Sequence, residues 1–224
     1  MSDLHSVSGQ VAAPGVDCSR CPRLAGFRAS NREAHSDWHN APVSSFGSID
    51  AALLIVGLAP GLRGANRTGR PFTGDFAGDL LFPTLIRHGF AAGDYGREAN
   101  DGLRLVGCRI TNAVRCVPPG NRPLPDEVRA CGAYLRSEIA AMSSIRAILA
   151  LGTVAHRAVL AALDTPPSRF TFTHAALHYL PNRLLLADSY HCSRQNTNTG
   201  RLTPSMFDAV FARLAALLRP ATDR

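Results

Sequence analysis

Four stretches of the chain are predominantly apolar, residues 51–58, 105–113, 147–151 and 183–187. Runs this short, without regular polar alternation, predict strands buried on both faces. Helical periodicity fills the intervals, at residues 79–88, 126–142 behind Pro125, 154–163 and 204–218, the last with Met206, Val210 and Leu214 on one stripe. Strands alternating with helices predict an α/β fold, a parallel sheet covered on both faces. Ligands of such sheets bind beyond the carboxyl ends of the strands, which directs attention to residues 57–74, 112–119 and 189–200. Residues 31–48 lack periodicity and are expected to wrap the surface, and no internal repeat interrupts the pattern.

At 224 residues, 46% of them hydrophobic, the chain suits a single domain spanning 1–224, with 1–17 and 219–224 expected as loose termini. No apolar run reaches the roughly 18 residues that cross a bilayer, and Met1 to Gln10 carry no basic-then-apolar leader. A cytoplasmic protein without a membrane partner is expected, nucleoid-associated if the source is bacterial. The 24 basic residues outnumber 17 acidic ones, and all 24 are arginine. A polyanionic partner and a surface biased by genome composition explain that excess equally well. The lack of lysine excludes Schiff-base chemistry and a GK[ST] phosphate loop.

Without an export signal, six cysteines point to metal ligation, packing or redox chemistry rather than disulfides. Cys18 and Cys21 form C-x-x-C, Cys116 and Cys131 follow far downstream, and Cys108 and Cys192 stand alone. Four thiolates suit an iron–sulfur cluster or zinc, although a zinc ribbon normally brings two C-x-x-C pairs. A thioredoxin-like dithiol leaves Cys116 and Cys131 unexplained. His174 and His178 lack the glutamate of H-E-x-x-H, because Ala175 stands there, which removes a metalloprotease reading.

The first strand runs into Gly57-Leu58-Ala59-Pro60-Gly61 and then Asn66-Arg67-Thr68-Gly69-Arg70-Pro71-Phe72-Thr73-Gly74-Asp75. Alone, such a glycine-rich turn is more often a tight connection than a binding site. With the early C-x-x-C, the Cys116-Val117-Pro118-Pro119-Gly120-Asn121-Arg122-Pro123 segment and Ser189-Tyr190-His191-Cys192-Ser193, the chain resembles the iron–sulfur uracil-DNA glycosylases, most closely family 5. The resemblance spans about Cys18 to Val210. It implies a three-layer α/β/α sandwich around a four-stranded parallel sheet, and hydrolysis of the bond between uracil, or another deaminated base, and deoxyribose in DNA. A monomer is the default.

The resemblance further implies a [4Fe–4S] cluster on Cys18, Cys21, Cys116 and Cys131, structural in role, with DNA as partner. His191 becomes the donor to uracil O2 as the base leaves as an anion. Asn112 reads the Watson–Crick edge, Phe72 stacks on the flipped base, Gly57, Ala59 and Gly61 border it, and Asn196 supports the site. Ser193, Arg194 and Gln195 form a wedge. Arg63, Arg67, Arg70, Arg194 and Arg201 are the phosphate contacts.

Three departures stand out. Leu58 and Ala59 occupy positions where other branches carry Asp, Asn or Glu, leaving Asn66 and Asp75 as the nearest water-positioning candidates. Gly61 replaces the tyrosine that blocks a C5 methyl group, which predicts broader base acceptance. Cys192 replaces the usual proline, which puts loop stiffness in doubt and raises an exposed reactive thiol. The competing reading is an Fe–S or zinc nucleic-acid-binding module without catalysis. A base-capturing branch is disfavoured, since its extra loop near the first motif is absent.

Overall fold

The computed structural model describes residues 11–218. In chain order its elements are α1 (Pro22–Ala34), β1 (Leu53–Gly57), α2 (Ala65–Thr68), α3 (Phe76–Arg87), β2 (Ala91–Ala92), β3 (Arg104–Leu105), β4 (Cys108–Asn112), α4 (Pro125–Ala141), β5 (Ala147–Leu151), α5 (Thr153–Ala162), β6 (Leu177–Tyr179), β7 (Leu185–Ser189), α6 (Arg194–Asn198) and α7 (Pro204–Leu218). The main sheet has the order β4-β1-β5-β7-β6. Its first four strands are parallel, as the apolar runs predict. β6 adds a fifth, antiparallel strand on the edge beside β7.

Alternate side chains explain the three layers. In β1, Leu53 and Ile55 join a core with Leu81, Phe82 and Leu85 of α3 and Phe207, Val210, Phe211 and Leu214 of α7. Leu54 and Val56 face the other side, against Leu135 and Ile139 of α4 and Ala155, Val159 and Leu160 of α5. Each fully buried aliphatic side chain stabilises the fold by about 1.5–3 kcal/mol relative to exposure. The chain passes from β1 out to β4 and returns across β1 to β5. The topological switch therefore lies at the carboxyl ends of β1 and β5, where such sheets leave a crevice.

Several expected boundaries move. α3 begins three residues before residue 79, because the Asp75 carboxylate caps it by accepting from the Ala77 and Gly78 amides. α1 occupies part of the stretch expected to be irregular, with Pro22 in its first turn. The described part of the leading segment is tied down rather than loose. Ala12 donates its amide to Ser137 Oγ, and Arg32 bonds the Val16 carbonyl and Asp17. Residues 1–10 and 219–224 lie outside the described residues.

Candidate active site

Gly57 ends β1 in register with Asn112 at the end of β4. A Cβ on Gly57 would stand 2.4 Å from Asn112 Oδ1 and 2.5 Å from Phe72 Cζ, so glycine lets the amide and the ring close over the strand end. Phe72 itself has φ +58°, a left-handed conformation that is unusual for an aromatic residue and marks a strained turn. The same loop brings Asp75 back towards the strand. A Cβ on Gly64 would meet Asp75 Oδ2 at 2.4 Å. The carboxylate is thus pressed against the glycine turn, with Oδ1 capping α3 and Oδ2 without a protein hydrogen-bond partner among the described residues.

The third contribution comes from the segment after β7. Ser193 caps α6, accepting from the Asn196 amide, and Asn196 Nδ2 donates to the His191 carbonyl at 2.8 Å. This fixes the peptide that carries the imidazole. The ring has no protein hydrogen-bond partner among the described residues and lies 5.9 Å, centroid to centroid, from Phe72 with planes 26° apart. Ala59, Pro60, Gly61, Phe72, Asp75, Ala77, Asn112 and His191 line one hollow at the carboxyl ends of β1 and β4.

The electrostatics of this hollow follow from burial. Burial lowers the His191 pKa to about 4, so the imidazole is neutral at ordinary pH and carries one N–H. Burial also raises the Asp75 pKa, against the helix amides that favour its ionised form. Asn112 is buried, and its side-chain amide makes no protein hydrogen bond among the described residues. Two neutral polar groups, an aromatic face and a carboxylate therefore converge with free hydrogen-bonding capacity.

Two candidates from the first loop do not reach the hollow. Asn66 is buried and donates to Asn40 Oδ1 at 2.8 Å, while its own amide donates to the Gly61 carbonyl. It ties the loop to the segment before β1 and is not a lining residue. Arg70 is 5% exposed and forks onto both oxygens of Asp101, at 2.7 and 2.6 Å, with Nε on Thr73 Oγ1. Its guanidinium packs over the Phe46 and Phe82 rings. Arg70 is therefore a loop brace rather than a phosphate contact. Asp101 answers it with a pKa lowered to about 2, the hydrogen bond from Arg70 being the main cause.

The other arginines lie outward. Arg63 and Arg194 are exposed, Arg67 pairs with Glu98, Arg194 lies over Phe76 and Arg201 over Tyr190. Gln195 is exposed beside Arg194. Cys192 is fully buried, and burial raises its thiol pKa, so it is a packed side chain and not an exposed reactive thiol. Cys108 is likewise buried within β4.

Cys18, Cys21, Cys116 and Cys131 surround a second, small cavity with Leu24, Arg28, Val114 and Tyr134. Arg28 donates from Nη1 to Cys116 Sγ at 3.5 Å and from Nη2 to the Cys18 carbonyl, while its Nε is buried without a partner. The Arg115 amide points at Cys131 Sγ. Burial raises the pKa of Cys21 and Cys116 and lifts Cys131 to about 11. An orphaned cationic donor against four apolar-walled thiols is the environment of an anionic thiolate-bound group. Among the described residues, the one set of three or more His, Cys, Asp or Glu donors within 4.8 Å of one another is His156, His178 and Asp188. No three of these thiols gather that closely, whereas one zinc draws sulfurs to about 2.3 Å from itself.

The sequence pattern gives Asp188 no role, and for His178 it only removes a metalloprotease reading. Asp188 sits in β7 between His156 of α5 and His178 of β6. The sequence signal was a lone acid inside an apolar strand, which burial requires to be paired.

The model of the Uracil DNA glycosylase superfamily matches residues 44–215. The chain is 43% identical over 208 residues to the type-5 uracil-DNA glycosylase of Thermus thermophilus, covering 89% of this chain and 94% of that protein. It is 44% identical over 204 residues to the type-5 protein of Mycobacterium tuberculosis (87% and 75% covered) and 40% over 206 residues to that of Pyrobaculum aerophilum (90% and 89%). The chain belongs to the type-5 branch of the uracil-DNA glycosylase superfamily.

Proposed function

We propose that this chain excises uracil, and other deaminated bases, from DNA by hydrolysing the N-glycosidic bond, leaving an abasic site. The single observation that carries the reading is the convergence of Asn112, Phe72 and His191 on one hollow with their polar groups unpaired by protein. The target base must first leave the duplex stack. In the hollow the Asn112 amide donates to O4 and accepts from N3–H, a pairing cytosine cannot return. Phe72 stacks on the ring.

As the N1–C1′ bond breaks, its electron pair stays with the base and the sugar becomes cationic. His191 donates its N–H to O2, where the negative charge of the leaving base accumulates. Asp75 supports the cation and takes a proton from the water whose oxygen bonds to C1′; the base anion is protonated after release. The ionised form of Asp75 does this work, and the neutral form of His191 suffices. Stabilisation of the leaving anion is the larger effect. Gly61 carries no side chain to block C5, the basis for acceptance beyond uracil.

Cys18, Cys21, Cys116 and Cys131 would hold a [4Fe–4S] cluster, which supplies a structural cross-link and no redox step. Arg28 balances the charge of that group and ties α1 to the Cys116 loop. Arg63, Arg67, Arg194 and Arg201 contact DNA phosphates around the hollow, with Ser193, Arg194 and Gln195 at the rim as the wedge. The protein acts as a monomer on DNA as its partner.

Uracil release from a duplex containing one deoxyuridine, followed by cleavage of the abasic site, tests the reading. Release by the wild type and its loss in Asn112→Ala supports it. Binding without release favours the non-catalytic nucleic-acid module.

A further inference from the structure

Asp188 is wholly buried, yet it is an acid in the strand that leads to His191. Its two oxygens are divided between two histidines: Oδ1 lies 2.7 Å from His156 Nδ1 and Oδ2 2.9 Å from His178 Nε2. Oδ2 also faces the Thr173 amide at 3.4 Å. The second nitrogen of His156, Nε2, is 2.9 Å from the Phe170 carbonyl. A carbonyl only accepts, so Nε2 carries a hydrogen, and a second hydrogen on Nδ1 lets Asp188 Oδ1 accept from His156 while Oδ2 faces His178 and the Thr173 amide. In that arrangement His156 is an imidazolium held against the Asp188 side chain, deep in the fold. Burial works against that proton, but the hydrogen bond and charge of Asp188 outweigh it and the His156 pKa ends above its ordinary value.

This pair holds down the segment that supports the active loop. The main chain of Asp188 exchanges hydrogen bonds with Ala175 and Ala176. Between Thr173 and Ala175 stands His174, whose Nδ1 accepts the Tyr190 amide at 3.2 Å and whose ring stacks on Tyr190 at 5.0 Å. Tyr190 precedes His191. We propose that His156, Asp188 and His178 form a charged clamp which, through His174, positions the Tyr190–His191 peptide for base release. These are positioning residues, since none lines the hollow. The inference rests on the activity proposed above.

The clamp has a defined pH window. The groups facing His156 are Asp188 from β7, His178 from β6, the Phe170 carbonyl and Phe172 ring from the intervening loop, and Arg157 on its own helix. A raised pKa means that the pairing is complete below the ordinary histidine value and is lost as pH rises through the folded value. Once His156 is neutral, one of its nitrogens confronts an acceptor without a hydrogen. In Asp188→Asn the pattern inverts: the amide NH2 donates to the Nδ1 of a neutral His156, and its oxygen accepts from His178 and Thr173.

The test compares kcat and melting temperature of the cluster-loaded wild type and Asp188→Asn from about pH 6.5 to about pH 9. The ratio of variant to wild-type kcat should rise about tenfold across that range, with the melting temperatures converging in the same direction. A ratio that stays flat in both readouts overturns the clamp. Melting reads the clamp even if the wild type releases no base, which would instead defeat the proposed activity. Two further variants check the link to His191. His174→Ala should lower kcat about tenfold with KM little changed, the scale expected of a displaced catalytic group. His174→Asn, whose side-chain oxygen takes the place of Nδ1, should restore it. Folded variants that are equally impaired would overturn the link. Stoichiometric zinc in the wild type that Asp188→Asn lacks would also overturn the clamp, replacing it with a metal site.

Discussion

Phe72 and His191 stand 119 residues apart in the chain, yet their rings lie 5.9 Å apart and only 26° from parallel. The glycine turn after β1 and the capped turn after β7 create that relationship, and Asn112 closes it from the neighbouring strand. In the proposed reaction, the space beside these two rings is where a flat, polar base is held and its leaving charge met.

Because a Cβ on Gly57 would meet Asn112 Oδ1 at 2.4 Å and Phe72 Cζ at 2.5 Å, Gly57→Ala should displace both base-contacting groups while leaving the buried core intact. We expect kcat/KM for uracil release to fall about 100-fold, the scale of an ångström-sized misplacement, with a melting temperature near that of the wild type. Unchanged kinetics would remove Asn112 and Phe72 from the base site.

Burial raises the Asp75 pKa, and its ionised form is the one the proposed reaction uses. Activity should therefore fall on acidification at a higher pH than for an ordinary carboxylate. Asp75→Asn should abolish that acid limb in a pH profile of kcat and lower the plateau by less than His191→Ala does, since asparagine still caps α3. Asn66→Ala should act on melting temperature rather than on kcat, because its amide serves Asn40.

Arg70 and Arg63 give opposite signatures. Arg70→Ala strands the buried Asp101 carboxylate and should destabilise the fold by about 3–5 kcal/mol. Asp101 titrates well below its ordinary value. Its stabilising effect is present above the unfolded carboxylate pKa and is lost as pH falls towards about 2. Arg70→Ala should consequently flatten the acid limb of a thermal-stability profile. Arg63→Ala should leave stability alone and reduce the salt dependence of DNA binding by about one phosphate contact.

For the cysteine site, Cys116→Ser should remove the charge-transfer absorbance of an iron–sulfur cluster and lower the melting temperature. Arg28→Leu relieves the orphaned Nε but withdraws its charge, and it should weaken retention of the cluster under a chelator. Retention equal to that of the wild type would remove Arg28 from its support.

The four parallel strands were legible because strands covered on both faces are written as short, predominantly apolar runs. β6 was not: it is three residues long and carries His178, whose partner is Asp188 on the next strand. α1 was hidden by Arg28 and Asn31, buried polar residues that interrupt an apolar face, Arg28 to serve the cysteine cavity and Asn31 to bond the Phe27 carbonyl within the helix. In the first loop the sequence marks polar residues but not which way they turn. Asp75 turns to the hollow, whereas Asn66 and Arg70 turn away to hold the loop together. Cys192 was expected to be exposed because it stands where the family usually has proline, yet the capped turn that presents His191 folds it beneath the surface.

The central claim is that His191 takes up the negative charge of the departing base. Its most direct measurement is single-turnover release of uracil and of 5-fluorouracil, whose anion is intrinsically more stable, by the wild type and His191→Ala. If His191 stabilises the leaving anion, the variant should lose about 100-fold or more on uracil and markedly less on 5-fluorouracil. An equal loss on both bases would contradict the claim.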